Sequence, residues 1–152
     1  MPNIFNEDFR DFITALNNND VRYILVGGFA VILHGHARVT GDMDIWIEPT
    51  EENYNNLVKA FKDFGMALFD MTRSNFLATD KFDVFSFGRE PVAIDIMTKV
   101  KGLDFGESYI HSRMFNDNGL LIRTLHFNDL LQAKNISGRR KDMDDIDQLT
   151  KE

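Results

Sequence analysis

The feature that most restricts this sequence is a pair of carboxylates set two residues apart in an apolar run, Asp42-Met43-Asp44-Ile45-Trp46-Ile47. Ahead of it lies Tyr23-Ile24-Leu25-Val26, rich in strand formers and stopped by Gly27-Gly28. Phe29 to His34 reads as a helix closed by Gly35, and Met43 to Ile47 as a second strand. Alternate side chains of a strand share a face. Asp42 and Asp44 therefore point one way, and Met43, Ile45 and Ile47 point the other, where they can be buried. Two carboxylates a few ångströms apart repel, and a proton or a cation must neutralise them. Hard Mg²⁺ with oxygen ligands is the usual answer where phosphates are the substrate. A solvated acidic strand end is the plain alternative.

A third acid adds context. Asp95 sits inside Val92-Ala93-Ile94-Asp95-Ile96-Met97, and a charge within an apolar strand is costly unless paired or bound to a metal. A salt bridge to Lys99 or Arg123 is one solution. A shared metal site with Asp42 and Asp44 is the other, in which one ion activates an attacking hydroxyl and a second holds a triphosphate. The Gly27-Gly28 turn lets backbone N–H groups approach a phosphate at a helix start.

The rest of the chain supplies the frame. Phe5, Phe9, Phe12, Ile13 and Leu16 recur at helical spacing, and Asn17-Asn18-Asn19-Asp20 ends that helix. Thr50 caps a helix running to Phe64, with Glu51 and Glu52 at its positive end and Gly65 as its stop. Met66 to Asp70, Phe82 to Phe87, Val92 to Thr98 and Leu120 to Leu125 predict strands. Helices follow from Asn128 to Ala133 and from Asp142 to Leu149, separated by Ser137-Gly138-Arg139-Arg140. The order predicts a mixed α/β, or α+β, domain occupying residues 1–152 as one unit.

Composition narrows the functional classes. The net charge of −7 opposes a broad nucleic-acid surface, which runs on Lys and Arg, but allows a local basic site. There is no cysteine, hence no disulfide and no thiolate zinc site. No leader-like order opens the chain, and no apolar run approaches the roughly 20 residues of a membrane span, so a cytoplasmic, membrane-free setting is expected. The 14 phenylalanines predict core filling, and Trp46 core or rim. His34 and His36 beside a glycine turn are weak evidence for a metal site.

Val26-Gly27-Gly28-Phe29-Ala30-Val31 through Arg38-Val39-Thr40-Gly41-Asp42-Met43-Asp44-Ile45-Trp46-Ile47 resembles the signature of the polymerase-β-like nucleotidyltransferase superfamily. The resemblance implies a nucleotidyltransferase fold, a mixed central β-sheet flanked by helices, and three metal-binding catalytic carboxylates at Asp42, Asp44 and Asp95. It implies Mg²⁺ (or Mn²⁺) as cofactor and a nucleoside triphosphate (NTP) as substrate, with phosphates held by Gly27, Gly28 and Arg38. Leu130-Leu131-Gln132-Ala133-Lys134, then Arg139, Asp142, Asp145 and Leu149, is similar to the C-terminal motif of bacterial AbiEii-like nucleotidyltransferases. There Lys134 would hold phosphates, Asp142 would support the site and Arg139 would hold Asp142. Read from the residues alone, Lys134 would snorkel to solvent and contribute little to folding. Arg139-Arg140-Lys141 and the four acids from Asp142 to Asp147 would form a solvated helix. Set against full-length toxin-type relatives, these residues are not expected to include their large extra helical domains. The expected activity is transfer of a nucleoside monophosphate to a hydroxyl on tRNA, protein or a small molecule. The alternative is a nucleotide-binding module with a small protein partner, as in a toxin–antitoxin pair.

Overall fold

A computed structural model describes residues 6–36, 41–89 and 92–150. The first helix, α1 (Glu7–Asn18), starts where Asn6 accepts a hydrogen bond from the Phe9 N–H at 2.9 Å. Phe9, Phe12, Ile13 and Leu16 form its buried stripe. Next come β1 (Tyr23–Val26), α2 (Gly27–Leu33) and β2 (Asp42–Ile47). Helix α3 (Glu51–Phe64) is capped by the Thr50 hydroxyl and ends at Gly65 with φ 85°, as its sequence predicts.

Met66 to Asp70 does not form a strand. Phe69 adopts φ 50°, a left-handed backbone that breaks any ladder, and its ring is exposed. The chain turns there into α4 (Arg73–Leu77). Strands β3 (Val84–Arg89) and β4 (Val92–Met97) are followed by α5 (Phe105–His111), β5 (Arg113–Asp117) and β6 (Leu120–Thr124). Helices α6 (Phe127–Ser137) and α7 (Arg140–Thr150) extend further than their apolar spacing predicts and meet at Gly138, φ 64°. None of these helices is long and apolar enough to cross a membrane.

The six strands form one mixed sheet in the order β3-β4-β2-β1-β6-β5. The β2–β4 and β1–β6 pairs are parallel and the others antiparallel. The sheet is covered on both faces. One face packs Leu25, Met43, Ile45 and Ile94 against Phe12, Leu57 and Phe61 of α1 and α3. The other packs Ile24, Val26 and Trp46 against Phe105, Leu125 and Leu130. Trp46 is core, with its ring edge-on to Phe105 at 5.2 Å between centroids. The carboxylates emerge at the end of this second face.

Candidate active site

The site begins with strand alternation. Met43, Ile45 and Ile47 are fully buried in the apolar face, which fixes the register of β2 and turns Asp42 and Asp44 to the opposite side. Asp44 pairs in register with Val26 on β1 and with Asp95 on β4, and Asp95 pairs with Ser86 on β3. Directly opposed residues share a face, so the sheet brings Asp42, Asp44 and Asp95 to one side. The Ser86 hydroxyl donates to Asp95 Oδ1 at 2.7 Å. Arg123 is engaged elsewhere, donating to the Ser112 hydroxyl at 2.9 Å and lying 4.3 Å over the Tyr109 ring.

Gly27 meets two demands at once. Its φ is +69°, and an added Cβ would collide with an Asp44 carboxylate oxygen and lie 2.9 Å from Cγ. Only glycine lets the β1–α2 turn rest directly on that acid. Burial pushes the Asp44 carboxyl up to about 7, and the neighbouring charges of Asp95 and Asp42 push the same way. Lys134 opposes them weakly.

On the far side of the cleft stands a buried ion-pair cluster. Lys134 Nζ lies 2.9 Å from Asp142 Oδ1 and 3.0 Å from Asp145 Oδ2. Asp142 Oδ2 accepts from Arg139 Nε at 2.7 Å and from the Ser137 hydroxyl. Burial alone would raise the Asp142 carboxyl, but hydrogen bonds from Arg139, Ser137 and Lys134 outweigh it and hold it at about 2. This corrects two expectations. Lys134 does not snorkel into solvent, being 6% exposed, and the face of α7 bearing Asp142 and Asp145 is buried. The cause is the left-handed turn at Gly138, which lays α7 back on α6 and encloses the lysine between two acids.

Two adjoining cavities share Gly27, Asp44, Val84, Met97, Lys134 and Arg139. The polar one, about 310 Å³, adds Gly28, Gly41, Asp42 and Asp95. The other, about 440 Å³, runs under α6 between Val26, Val100, Leu125, Leu130, Ala133 and Ile136. Gly27, Gly28, Lys134 and the three carboxylates thus line one cleft, while Asp142 sits behind Lys134 and borders the apolar cavity. Arg38 falls outside the described residues. His34 and His36 do not enter the cleft lining. The His34 ring nitrogen Nε2 donates to the Leu125 carbonyl at 2.7 Å, and His36 Nε2 lies 3.8 Å from Asp145 Oδ1. Sequence reasoning gave no role to Ser86 or Ser137. Their contacts depend on a strand register and a helix turn that no local motif spells out.

Among the described residues no three acidic or histidine side chains stand close enough to hold a metal ion unaided. Mg²⁺ keeps several waters and binds through one or two carboxylates together with substrate phosphates. The donor set of Asp42, Asp44 and Asp95 is all oxygen; burial raises the Asp44 carboxyl most, and the neighbouring Asp95 and Asp42 charges that raise it further are what a cation would relieve.

Comparison with known proteins agrees with this architecture. No curated protein matches the chain. A candidate nucleotidyltransferase from Thermotoga maritima superposes with a TM-score of 0.59 at 16% identity, covering 90% of this chain and 86% of that one. The lincomycin-bound lincosamide antibiotic adenylyltransferase LnuA gives 0.59 at 16% identity, covering 99% of both chains. An antigenic nucleotidyltransferase-like protein from Paracoccidioides brasiliensis gives 0.60 at 17% identity, covering 93% and 74%. At such identities these likenesses establish the fold, a nucleotidyltransferase-type mixed sheet. A family model goes further and matches residues 7–150, from the first helix to the last. By that match the chain belongs to the family described as "Nucleotidyltransferase of unknown function (DUF6036)".

Proposed function

We propose that this protein moves a nucleoside monophosphate from an NTP to a hydroxyl acceptor in a reaction dependent on Mg²⁺ or Mn²⁺. The observation that carries the reading is the row Ser86, Asp95, Asp44 and Val26 across four strands, with Gly27 against Asp44. Asp42, Asp44 and Asp95 are the oxygen donors for the divalent cation. When bound, that cation neutralises triphosphate charge and lowers the pKa of the attacking hydroxyl. The backbone at Gly27 and Gly28 approaches the phosphates, and the buried Lys134 ammonium faces them from α6. Lys134 has three N–H donors; two meet Asp142 and Asp145, and the third serves the cleft. The apolar cavity under α6 takes the nucleoside.

In the transfer, the acceptor oxygen forms a bond to the α-phosphorus. The bond from that phosphorus to the oxygen bridging the β-phosphate breaks, and pyrophosphate leaves. Asp95 accepts the hydroxyl proton. This is catalysis by positioning and charge neutralisation. The motif from Leu130 to Leu149 supports placing the chain near the AbiEii-like members, and the continuous sheet supports one domain over residues 1–152.

The test is calorimetry of the intact chain with each of the four NTPs, with and without Mg²⁺, followed by incubation with NTP labelled at the α-phosphate and pools of tRNA, protein and small hydroxyl compounds. Metal-dependent NTP binding and label transfer with pyrophosphate release are expected, and Asp44→Asn should abolish transfer. Absence of NTP binding in saturating metal would retire the reading.

A further inference from the structure

Ser86 has no part in the motifs above, yet it is the first member of the row that crosses the carboxylates. Strand β3 is an edge strand, and Phe85 and Phe87 on either side of Ser86 are buried in the apolar face. Those two rings pin the strand, and alternation then forces Ser86 to the carboxylate side. There it stands in register opposite Asp95 and donates its one hydroxyl proton to Oδ1 at 2.7 Å. On the other flank of Asp95, Asp44 stands in register on β2. A carboxylate anchored through one oxygen has its terminal torsion fixed, which otherwise is broad. With Oδ1 held, the direction of the other oxygen is set as well.

We infer that Ser86 is a positioning residue for metal-dependent transfer, holding Asp95 in the orientation in which that carboxylate meets a divalent cation together with Asp44. The inference rests on the proposed metal-dependent function. Hydrogen-bond partners behind a metal ligand set the ligand's orientation and govern affinity through it. Ser86 is small and faces solvent, so its removal leaves the packing of β3 intact.

The test is Mn²⁺ titration of the intact chain, read from the electron paramagnetic resonance signal of free Mn²⁺, with and without ATP. Ser86→Ala should weaken Mn²⁺ binding about tenfold with an unchanged metal-free melting temperature. Ser86→Thr should restore binding, and Ser86→Val, the same shape without the hydroxyl, should not. In an Asp95→Asn background, Ser86→Ala should have no further effect. Wild-type affinity in folded Ser86→Ala or Ser86→Val, or an equal loss in the Asp95→Asn background, would overturn the role of Ser86 while leaving the metal site standing. No Mn²⁺ binding by the wild type would take down the functional reading and this inference together.

Discussion

The two faces of the sheet solve opposite problems. The face under α1 and α3 is mostly hydrocarbon, with the Phe12 ring edge-on to Phe61 and Phe64 at 5.7 and 5.2 Å. Its two tyrosines, Tyr23 and Tyr54, are held neutral by burial, which raises both hydroxyls above their ordinary value. The opposite face carries Trp46 and Leu130 at its centre but ends in like charges on one side and a buried ion-pair cluster on the other. Stability generated on one face offsets the cost of buried and crowded charge on the other, and perturbed acids of that kind cluster where proteins do chemistry.

The comparison can be broken most forcefully from the apolar side. Phe12→Ala should destabilise the protein by about 4 kcal/mol, since the ring is fully buried and its removal leaves a cavity. Urea unfolding checks this, and a loss under about 1 kcal/mol would contradict the packing described. On the charged side, Lys134→Ala should cost about 3 kcal/mol, because it strands two buried carboxylates. Lys134→Met should recover little unless Asp142 and Asp145 are neutralised as well.

Two acids give opposite pH slopes. Asp44 binds its proton more tightly folded, at about 7 against 3.8 unfolded. Its contribution is full below 3.8 and is lost as pH rises through 7. Asp142 is held at about 2 against the same 3.8. Its contribution is present above 3.8 and is lost as pH falls through 2. Asp44→Asn should therefore remove the fall in stability between pH 3.8 and 7 and stabilise the metal-free protein by about 2 kcal/mol near pH 8, allowing for water and cations in the cleft. Melting curves across pH without metal decide the sign; a loss of stability would mean that Asp44 is a structural acid. The smallest effect belongs to Thr50→Ala, about 1 kcal/mol for a lost helix cap, with no change in metal or NTP binding. Calorimetry would detect any change at the site.

The sequence made different parts of this molecule legible to different depths. Patterns closed within one element read well: the α1 stripe, the Thr50 and Gly65 caps, and Asp42 and Asp44 on one side of β2. Strand β5 was missed because it is an edge strand with no apolar alternation, although Asn118-Gly119, both at positive φ, marks its two-residue hairpin turn to β6. The burial of Lys134 was not legible because a lysine on a helix looks the same whether it meets water or two acids. Those acids lie on the next helix, at positions that only the Gly138 turn brings near. The Ser86 contact likewise follows from β3–β4 register.

The strand order has a consequence for how the molecule assembles. Strand β1 is central, and its neighbours are β2, which follows closely, and β6, about a hundred residues downstream: Leu25 is in register with Thr124, and the Leu125 N–H donates to the Leu25 carbonyl at 3.1 Å. During synthesis from the N-terminus, β1 is an open sheet edge until β6 emerges, and unpaired edges recruit other chains. Closing such a long loop late makes folding slow relative to a helical chain of this size. A chain halted before β6 carries Gly27, Asp42, Asp44 and Asp95 in full, yet exposes the flank of the strand on which Gly27 is mounted, and its characteristic fate is aggregation rather than a smaller working unit.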